Sequence, residues 1–326
     1  MDENLKIIDL LKLLCAIGVV AVHTEPMVAF NSNLWLVSTV YHVLPVPFFF
    51  MASGYLLFRK VELPLKCDGK NVLKRYLIKI VRLYIVWTIL FLPLIIWGYK
   101  NETSAIVVML KFIRGVFLVG ENAYSWPLWY LLGVIVPILL LYTWLSLHIS
   151  LKKILCFSIV FTVLGEIIKY LHREQMYTSI IDIYYSLFVT TRNGLFIGLI
   201  YVVLGMLSFY WKSLSSFFLI GMLMCGCLGC LYNIPFSEFF FAYAFFNLVL
   251  KCNFSGVSNA VAVNCRKIST IIYFTHMYWV VFWENLLPHT ALYSLHLFLL
   301  SCFSSCMLGI LFIKYKNNKF FDICFQ

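Results

Sequence analysis

The chain has 326 residues, of which 63% are hydrophobic and only 12% are charged. This composition, with a mean hydropathy of +0.92, excludes a soluble globular domain, in which about a quarter of the residues would be charged. The net charge of +11 does not indicate a nucleic-acid partner, because the basic residues lie between apolar segments and do not form one patch. We therefore expect an integral membrane protein.

Ten apolar segments are each close to the ~20 residues that a helix needs to cross a bilayer. In chain order the predicted spans are 7–26, 35–57, 76–98, 127–147, 154–171, 194–210, 214–232, 235–250, 268–287 and 291–313. The predicted fold class is all-α, a polytopic membrane helix bundle with about ten transmembrane helices. The first segment is expected to be retained, because acidic residues precede it and charged residues enter it, unlike a cleavable signal peptide.

The distribution of basic residues predicts the orientation of these spans. Most of the 25 Lys and Arg residues fall in segments on the same side as the N-terminus, which places both termini in the cytoplasm. Residues 5–315 would form the membrane-embedded domain, and 316–326 a short cytoplasmic tail. Two outer segments are mixed in character: 104–120 is predicted to lie along the membrane interface, and 172–193 to form a part-helical cap.

The first span, IIDLLKLLCAIGVVAVHT, contains three ionisable residues, Asp9, Lys12 and His23. An ionisable side chain costs roughly 2.5–3.5 kcal/mol at the centre of a span, so it faces protein or water and is a functional candidate. Lys12 and His23 are eleven residues apart, which puts them on one helix face about 16 Å apart along the axis. Asp9 lies on nearly the same face. The pattern predicts a charged pair near one end of the helix and an imidazole deep inside it.

Polar residues in the second span have two possible roles. Pro45 and Pro47 loosen the helix and free backbone carbonyls, which is tolerated only against protein or a water-filled cavity. Ser53, Gly54 and Tyr55 follow, a small pair that allows close backbone approach and then a hydroxyl group. Helix packing is the simpler interpretation, and a contribution to a substrate cavity is the functional one.

Lys79 and Arg82 step inward from the cytoplasmic end of the third span on one helix face. Such cations often extend only to lipid headgroups. They are also suited to phosphates, since Arg binds them bidentately and Lys as a point charge. Anion binding is the favoured prediction, and lipid contact is the alternative.

Later positions are weaker candidates. Trp129 fits an aromatic belt, Arg192 and Asn193 fit an interfacial anchor, and His276 fits a packing residue as well as a functional imidazole. The run Cys225-Gly-Cys-Leu-Gly-Cys230 superficially resembles a metal site, but in a glycine-rich span a packing face is the better interpretation. No metal site and no structural disulfide are expected.

Taken together, these motifs resemble the integral-membrane acyltransferase family 3, which includes O-acetyltransferases of bacterial surface polysaccharides, enterobacterial common antigen and Nod factors. The most specific match is a basic residue and a histidine separated by ten residues in the first span. In order, the matching positions are Asp9, Lys12 and His23, Pro47 to Tyr55, Lys79 and Arg82, Leu128 to Leu131, Arg192 and Asn193, and Ile272 to His276. The chain departs from the family in having Lys79 where Arg is usual and in lacking the proline that commonly follows.

The resemblance implies an O-acyltransferase of the bacterial cytoplasmic membrane with acyl-CoA, and specifically acetyl-CoA, as its donor substrate and no bound cofactor. The acceptor would be a hydroxyl of a cell-surface or lipid-linked saccharide, and polysaccharide-assembly proteins would be partners. His23 would be the catalytic residue, as a general base on the acceptor or as the group that takes the acyl moiety itself. The CoA phosphates would be held by Lys12, Lys79 and Arg82. The pantetheine arm would run along the small residues Ala16 and Val19. Supporting roles would fall to Asp9, Ser53, Tyr55, Trp129, Arg192, Asn193 and His276.

Two other functions are compatible with the same sequence. Some relatives of this family form the membrane part of serine/alanine racemases, so a transporter-like membrane module is the main alternative, although no racemase-like domain follows here. Transport would proceed without CoA and without a strict need for His23. A scaffold subunit of a polysaccharide-assembly complex would tolerate the loss of both Lys12 and His23.

Overall fold

The structure is a computed structural model that describes residues 3–252, 256–314 and 325. Within these ranges the chain consists of helices and their connections and has no β-strand, which confirms the predicted all-α class. Its α-helices in chain order are α1 (Glu3–Thr24), α2 (Trp35–Val43), α3 (Pro45–Phe58), α4 (Cys67–Gly98), α5 (Ala105–Arg114), α6 (Trp129–Ser146), α7 (Leu151–Arg173), α8 (Thr178–Phe188), α9 (Leu199–Tyr210), α10 (Ser216–Leu231), α11 (Ser237–Lys251), α12 (Asn259–Glu284) and α13 (Tyr293–Lys314).

Each of the ten predicted spans coincides with one of these helices or with two consecutive helical segments. The second span is divided into α2 and α3, and the division falls directly before Pro45. Neither Pro45 nor Pro47 has an N–H group to donate, so the helical hydrogen bonding is interrupted there. It resumes at once, since the N–H of Phe48 donates to the carbonyl of Leu44 at 3.0 Å.

Within the described part of the chain, five helical segments are long and apolar enough to cross a membrane: Leu36–Phe58, Cys67–Gly98, Trp126–Ser146, Leu151–Arg173 and Tyr293–Lys314. Two shorter segments, Gly194–Tyr210 and Ser216–Leu231, are also apolar. A helix satisfies its backbone hydrogen bonds internally and can therefore lie in lipid. Long apolar helices of this kind indicate a membrane protein. The total of ten spans and the cytoplasmic termini stay predictions.

The chain divides into two compact units. Unit 1 comprises the residues up to Phe49 together with Lys212–Phe325, and unit 2 comprises Phe50–Trp211. In unit 1, α1 packs against α12, α12 against α13, and α10 against α11. In unit 2, α4 packs against α6, and α9 packs against both α6 and α7. The predicted site residues are distributed over both units.

Glycines bring two helices of unit 2 into backbone contact. A methyl group on Gly54 of α3 would overlap the carbonyl oxygen of Val202 in α9, and one on Gly205 of α9 would overlap that of Met51 in α3. The close backbone approach predicted at Gly54 is therefore present. It is the arrangement by which small residues allow membrane helices to pack.

The two outer segments of mixed character, 104–120 and 172–193, each contain a short helix. In 104–120, α5 has no buried residue and is followed by one π-helical turn, Gly115–Val119. In 172–193, α8 covers Thr178–Phe188, so the segment is part-helical as predicted. Most residues of α8 are exposed. The predicted tail 316–326 lies outside the described residues except for Phe325, whose ring packs near Phe274 and Phe312.

Candidate functional site

Asp9 is the centre of a charged cluster in unit 1. It lies on α1 with only 3% of its surface exposed. One carboxylate oxygen is 3.7 Å from Nζ of Lys12 on the same helix, and the other accepts a hydrogen bond of 3.3 Å from Nη1 of Arg266 on α12. The charged pair predicted from the spacing of Asp9 and Lys12 is thus present, and a second cation joins it from another helix.

His23 and His276 lie together in unit 1. Their rings stack with centroids 5.3 Å apart and planes inclined by 28°. His276 is fully buried, and its Nδ1 is 3.0 Å from the carbonyl oxygen of Ile272, so Nδ1 carries the proton and donates it. Nε2 of His276 has no hydrogen-bond partner among the residues that the structure describes. His23 is only partly buried. His23 and His276, which were separate candidates in the sequence, are therefore neighbours.

A buried apolar layer lies between the charged cluster and the imidazole pair. Ala16 and Val20 of α1 and Ile272 of α12 are fully buried and pack together. Val19 is buried as well. Ala16 and Val19 are thus part of the packed interior of unit 1, and a path for the pantetheine arm along them stays a prediction.

Lys79 and Arg82 belong to unit 2 and lie on the exposed surface of α4. Arg82 borders a shallow groove of about 370 Å³ lined by Leu77, Ile78, Val81, Ile85 and Val86. The stem of Arg82 thus lies along apolar side chains, as expected of a cation that reaches out from a lipid-facing helix. Both interpretations of these residues, phosphate binding and lipid contact, are compatible with this surface.

A cluster of hydroxyl groups surrounds Ser53 in unit 2. Its Oγ is 2.8 Å from the hydroxyl of Tyr130 on α6, and Tyr76 on α4 also hydrogen-bonds Ser53. Ser53 therefore links three helices through partly buried hydroxyl groups. Tyr55 is buried, and the guanidinium of Arg59 lies over its ring at 5.9 Å from the centroid. These contacts give Ser53 and Tyr55 structural roles within α3 without excluding a ligand.

Arg192 contacts one other predicted position, Trp129, and one residue that was not predicted, Glu121. Its guanidinium lies 4.8 Å from the ring centroid of Trp129, and Nη2 donates to a carboxylate oxygen of Glu121 at 3.2 Å. Glu121 lies between α5 and α6, with a side chain that is 17% exposed. Burial raises the pKa of Glu121, and the charge and hydrogen bond of Arg192 lower it in part.

Asn193 has a local structural role. Its Oδ1 accepts hydrogen bonds of 3.0 Å from the N–H groups of Leu195 and Phe196, which caps the π-helical turn Gly194–Gly198. Its Nδ2 donates to the hydroxyl of Tyr184 at 3.2 Å. The amide group is therefore already used for the start of the sixth predicted span.

The cysteine-rich segment of α10 is a packing face. Gly226 and Gly229 lie so close to Phe241 and Ser237 of α11 that a methyl group on either would overlap them. This agrees with the packing interpretation of the run from Cys225. Within the described ranges, no group of three or more His, Cys, Asp or Glu side chains is arranged to hold a metal ion.

Sequence reasoning missed two charged residues of these clusters, Arg266 and Glu121. Arg266 was counted only as one of the basic residues that set the orientation of the ninth span. Glu121 belongs to a short acidic and aromatic loop ahead of Trp129, and no pattern distinguished it. A signal for Arg266 did exist, because a buried carboxylate such as Asp9 requires more compensation than one lysine provides.

The comparison with protein families identifies one match over nearly the whole chain. The model of the family described as acyltransferase domain, Acyl_transf_3, matches residues 5–314. This range contains all the site residues described above. It starts four residues before Asp9 and ends with the last residue of α13.

Curated relatives match a smaller part of the chain. A serine/alanine racemase of Enterococcus gallinarum is 29% identical over 209 residues, which is 61% of this chain and 28% of the relative. Two amino-acid racemases of Enterococcus faecalis are 27% and 25% identical over 208 and 210 residues, or 29% and 28% of their own lengths. The chain thus spans less than a third of the curated relatives that it matches. No solved structure matches it.

Proposed function

Because this chain belongs to the acyltransferase 3 family, we propose that it is a membrane-bound O-acyltransferase, with acetyl-CoA as donor and a hydroxyl of a cell-surface or lipid-linked saccharide as acceptor. The observation that supports this proposal best is the pair of stacked imidazoles, His23 and His276, in the same unit as the cationic cluster at Asp9. The proposed location is the bacterial cytoplasmic membrane.

His23 is the proposed catalytic residue. As a neutral imidazole it takes the proton of the acceptor hydroxyl while the hydroxyl oxygen attacks the thioester carbonyl. The carbon–sulfur bond of the thioester then breaks, and the thiolate of CoA leaves with the proton returned by the imidazolium. Direct transfer of the acyl group to His23, followed by attack of the acceptor, is the other route open to the same side chain.

His276 is proposed as a positioning residue for His23. Its Nδ1–H donates to the carbonyl of Ile272, which sets the orientation of its own ring in the interior of unit 1. A ring fixed in this way limits the orientations that the stacked His23 ring can adopt. A catalytic base held close to its productive geometry transfers protons faster than one that must first be ordered.

The CoA phosphates are the proposed ligands of Lys12, Lys79 and Arg82. Lys12 is largely buried beside Asp9, whereas Lys79 and Arg82 are exposed on α4. Arginine offers a planar fork for two phosphate oxygens and lysine a point charge, so Arg82 contributes more directional binding than Lys79.

A second candidate function has an observation of its own. The three curated relatives described above are named racemases, one of them for serine and alanine. A membrane module that handles a small substrate without acyl transfer is therefore the alternative. It predicts uptake of an amino acid without any dependence on CoA.

The test is transfer of label from radioactive acetyl-CoA into the glycan fraction of membranes. Wild type is compared at matched expression with His23→Ala and Lys12→Ala. We expect label with wild type, a fall of roughly 100-fold or more with His23→Ala because a general base contributes about that factor, and a rise in the KM for acetyl-CoA with Lys12→Ala. His289→Ala, an exposed histidine in the connection after α12, is the matched control and retains activity.

Equal labelling by wild type and His23→Ala would contradict the proposed catalytic role. Amino-acid uptake that is insensitive to CoA, without labelling of any glycan, would favour the racemase-like membrane module.

A further inference from the structure

Arg266 is a charged residue of unit 1 that no sequence motif singles out. It lies near the start of α12, and its guanidinium reaches Asp9 on α1 at 3.3 Å. The two residues are separated by 257 positions in the chain. Its side chain is 46% exposed, whereas that of Asp9 is 4% exposed. The guanidinium therefore rests on a buried carboxylate and presents its other side outward.

The cluster carries one negative and two positive charges. Asp9 neutralises one cation and leaves one unit of positive charge distributed between Lys12 and Arg266. Among the described residues, Nη1 is the atom of the Arg266 guanidinium that donates a hydrogen bond, and its other N–H groups donate none. The hydrogen bond to Asp9 fixes the guanidinium, and its other N–H groups can donate to an oxyanion.

A phosphate group fits this arrangement by charge and geometry. A guanidinium can bind two phosphate oxygens side by side, and a neighbouring ammonium adds a point charge. Phosphate esters occur both in CoA and in the headgroups of anionic lipids, so either molecule has suitable chemistry. The donor is favoured because Lys12 lies on the same helix as the proposed catalytic His23.

We propose that Asp9 positions Lys12 and Arg266, one cation from each of two helices, as a paired binding site for a phosphate group of the acyl donor. This inference rests on the proposed acyltransferase function and adds Arg266 to its donor site. Asp9 is then a positioning residue that touches no ligand. Arg266 is a direct contact.

A purely structural role for Arg266 would be to compensate the buried charge of Asp9. The two roles differ in an Asp9→Asn background, where no carboxylate needs compensation. If Arg266 binds phosphate, Arg266→Gln weakens CoA binding in that background too. If Arg266 only compensates Asp9, the same substitution has no effect there.

The experiment measures CoA affinity by titration of the purified full chain in nanodiscs of phosphatidylcholine. We expect Arg266→Gln to weaken binding on the order of tenfold, the equivalent of one lost charge-assisted hydrogen bond. Arg266→Lys should retain part of the affinity. Lys267→Gln is the matched control, since it removes the next cation along α12, which lies outside the Asp9 cluster, and should leave CoA affinity within about twofold.

A second readout does not depend on the Asp9→Asn variant being stable. In the transfer assay, Arg266→Gln should raise the KM for acetyl-CoA and leave the KM for acetyl-pantetheine, which lacks the nucleotide phosphates, unchanged. An equal rise for both donors would overturn the phosphate contact and indicate a general structural effect.

The nanodisc composition separates the two sources of phosphate. If Arg266 binds a lipid headgroup, Arg266→Gln leaves CoA affinity unchanged and abolishes the stabilisation gained when phosphatidylglycerol is added, and that result overturns the donor assignment. A wild type that binds no CoA overturns the proposed function together with this inference. A wild type that binds CoA no better than Arg266→Gln overturns this inference alone.

Discussion

Asp9 and Lys12 in α1 and Glu166 and Lys169 in α7 are two ion pairs with the same spacing of three residues. The spacing accounts for both pairs, because residues three apart are neighbours on a helix surface. Their surroundings differ, since the Lys169 side chain is 63% exposed and that of Lys12 only 16%. A surface pair contributes little to stability, whereas the buried carboxylate of Asp9 requires a further partner, which is Arg266.

Glu121 leads to a prediction about pH at the residue scale. Burial raises the pKa of its carboxyl group, so ionisation costs more in the folded protein than in the unfolded chain. Its contribution to stability is therefore full below the ordinary pKa of Glu and is lost as the pH rises through the higher folded value. We expect Glu121→Gln to remove this loss, so that its unfolding midpoint rises relative to wild type as the pH increases from about 4, near the ordinary pKa of Glu, toward neutrality.

The measurement is thermal unfolding of the purified protein in detergent across that pH range. Arg192→Gln is the companion variant: removal of the neighbouring cation should raise the pKa of Glu121 further and increase the loss of stability with pH. A difference between Glu121→Gln and wild type that stays constant with pH would show that the ionisation of Glu121 is not linked to folding.

At the scale of elements, glycine decides which helices can touch. The absence of a side chain at Gly54 and Gly205 lets the backbones of α3 and α9 approach each other directly. Helix packing in lipid depends on such contacts, because lipid chains are as apolar as the side chains that they would replace. The same reasoning explains why Ala16 lies in a packed layer between α1 and α12.

Substitution of Gly54 by alanine tests whether the cost of overpacking exceeds the gain in helix propensity. The added methyl group would overlap the carbonyl oxygen of Val202, so Gly54→Ala should destabilise the protein by about 1–3 kcal/mol through overpacking. Gly221→Ala is the matched control in α10, where no described atom outside the adjoining helix backbone lies within 4 Å of the added methyl group. It should be neutral or stabilise by up to about 1 kcal/mol.

Thermal unfolding midpoints of the two variants in one detergent measure this difference. Equal midpoints for Gly54→Ala and Gly221→Ala would show that α3 and α9 are not in backbone contact in the membrane protein.

At the scale of the whole molecule, contacts within unit 1 determine the relative direction of two helices. Asp9 of α1 contacts Arg266 of α12 and, further toward the C-terminal end of both helices, His23 contacts His276. α1 and α12 therefore run parallel. If both cross the bilayer, an odd number of crossings must separate them, and the predicted spans 2 to 8 satisfy this condition. The parity agrees with the orientation derived from the basic residues.

Cysteine labelling tests the predicted orientation. Cys67, which is exposed at the start of α4, should be on the cytoplasmic side, and Glu174, which is exposed after α7, on the outer side. In a background without other cysteines, an impermeant maleimide should label Glu174→Cys in intact cells and Cys67 only after permeabilisation. Labelling of both positions in intact cells would contradict the predicted number of crossings between them.

The all-α class, the positions of the helices and the candidate polar residues on α1 follow from the amino-acid sequence. These are local properties: an apolar run must form a helix to satisfy its backbone in lipid, and spacing along a helix sets which residues share a face. The tertiary structure alone decided the partners of those residues, namely Arg266 for Asp9, His276 for His23 and Glu121 for Arg192. Partners so distant in the chain depend on which helices pack together. Small residues and buried charges determine this packing, and a hydropathy profile does not show their effects.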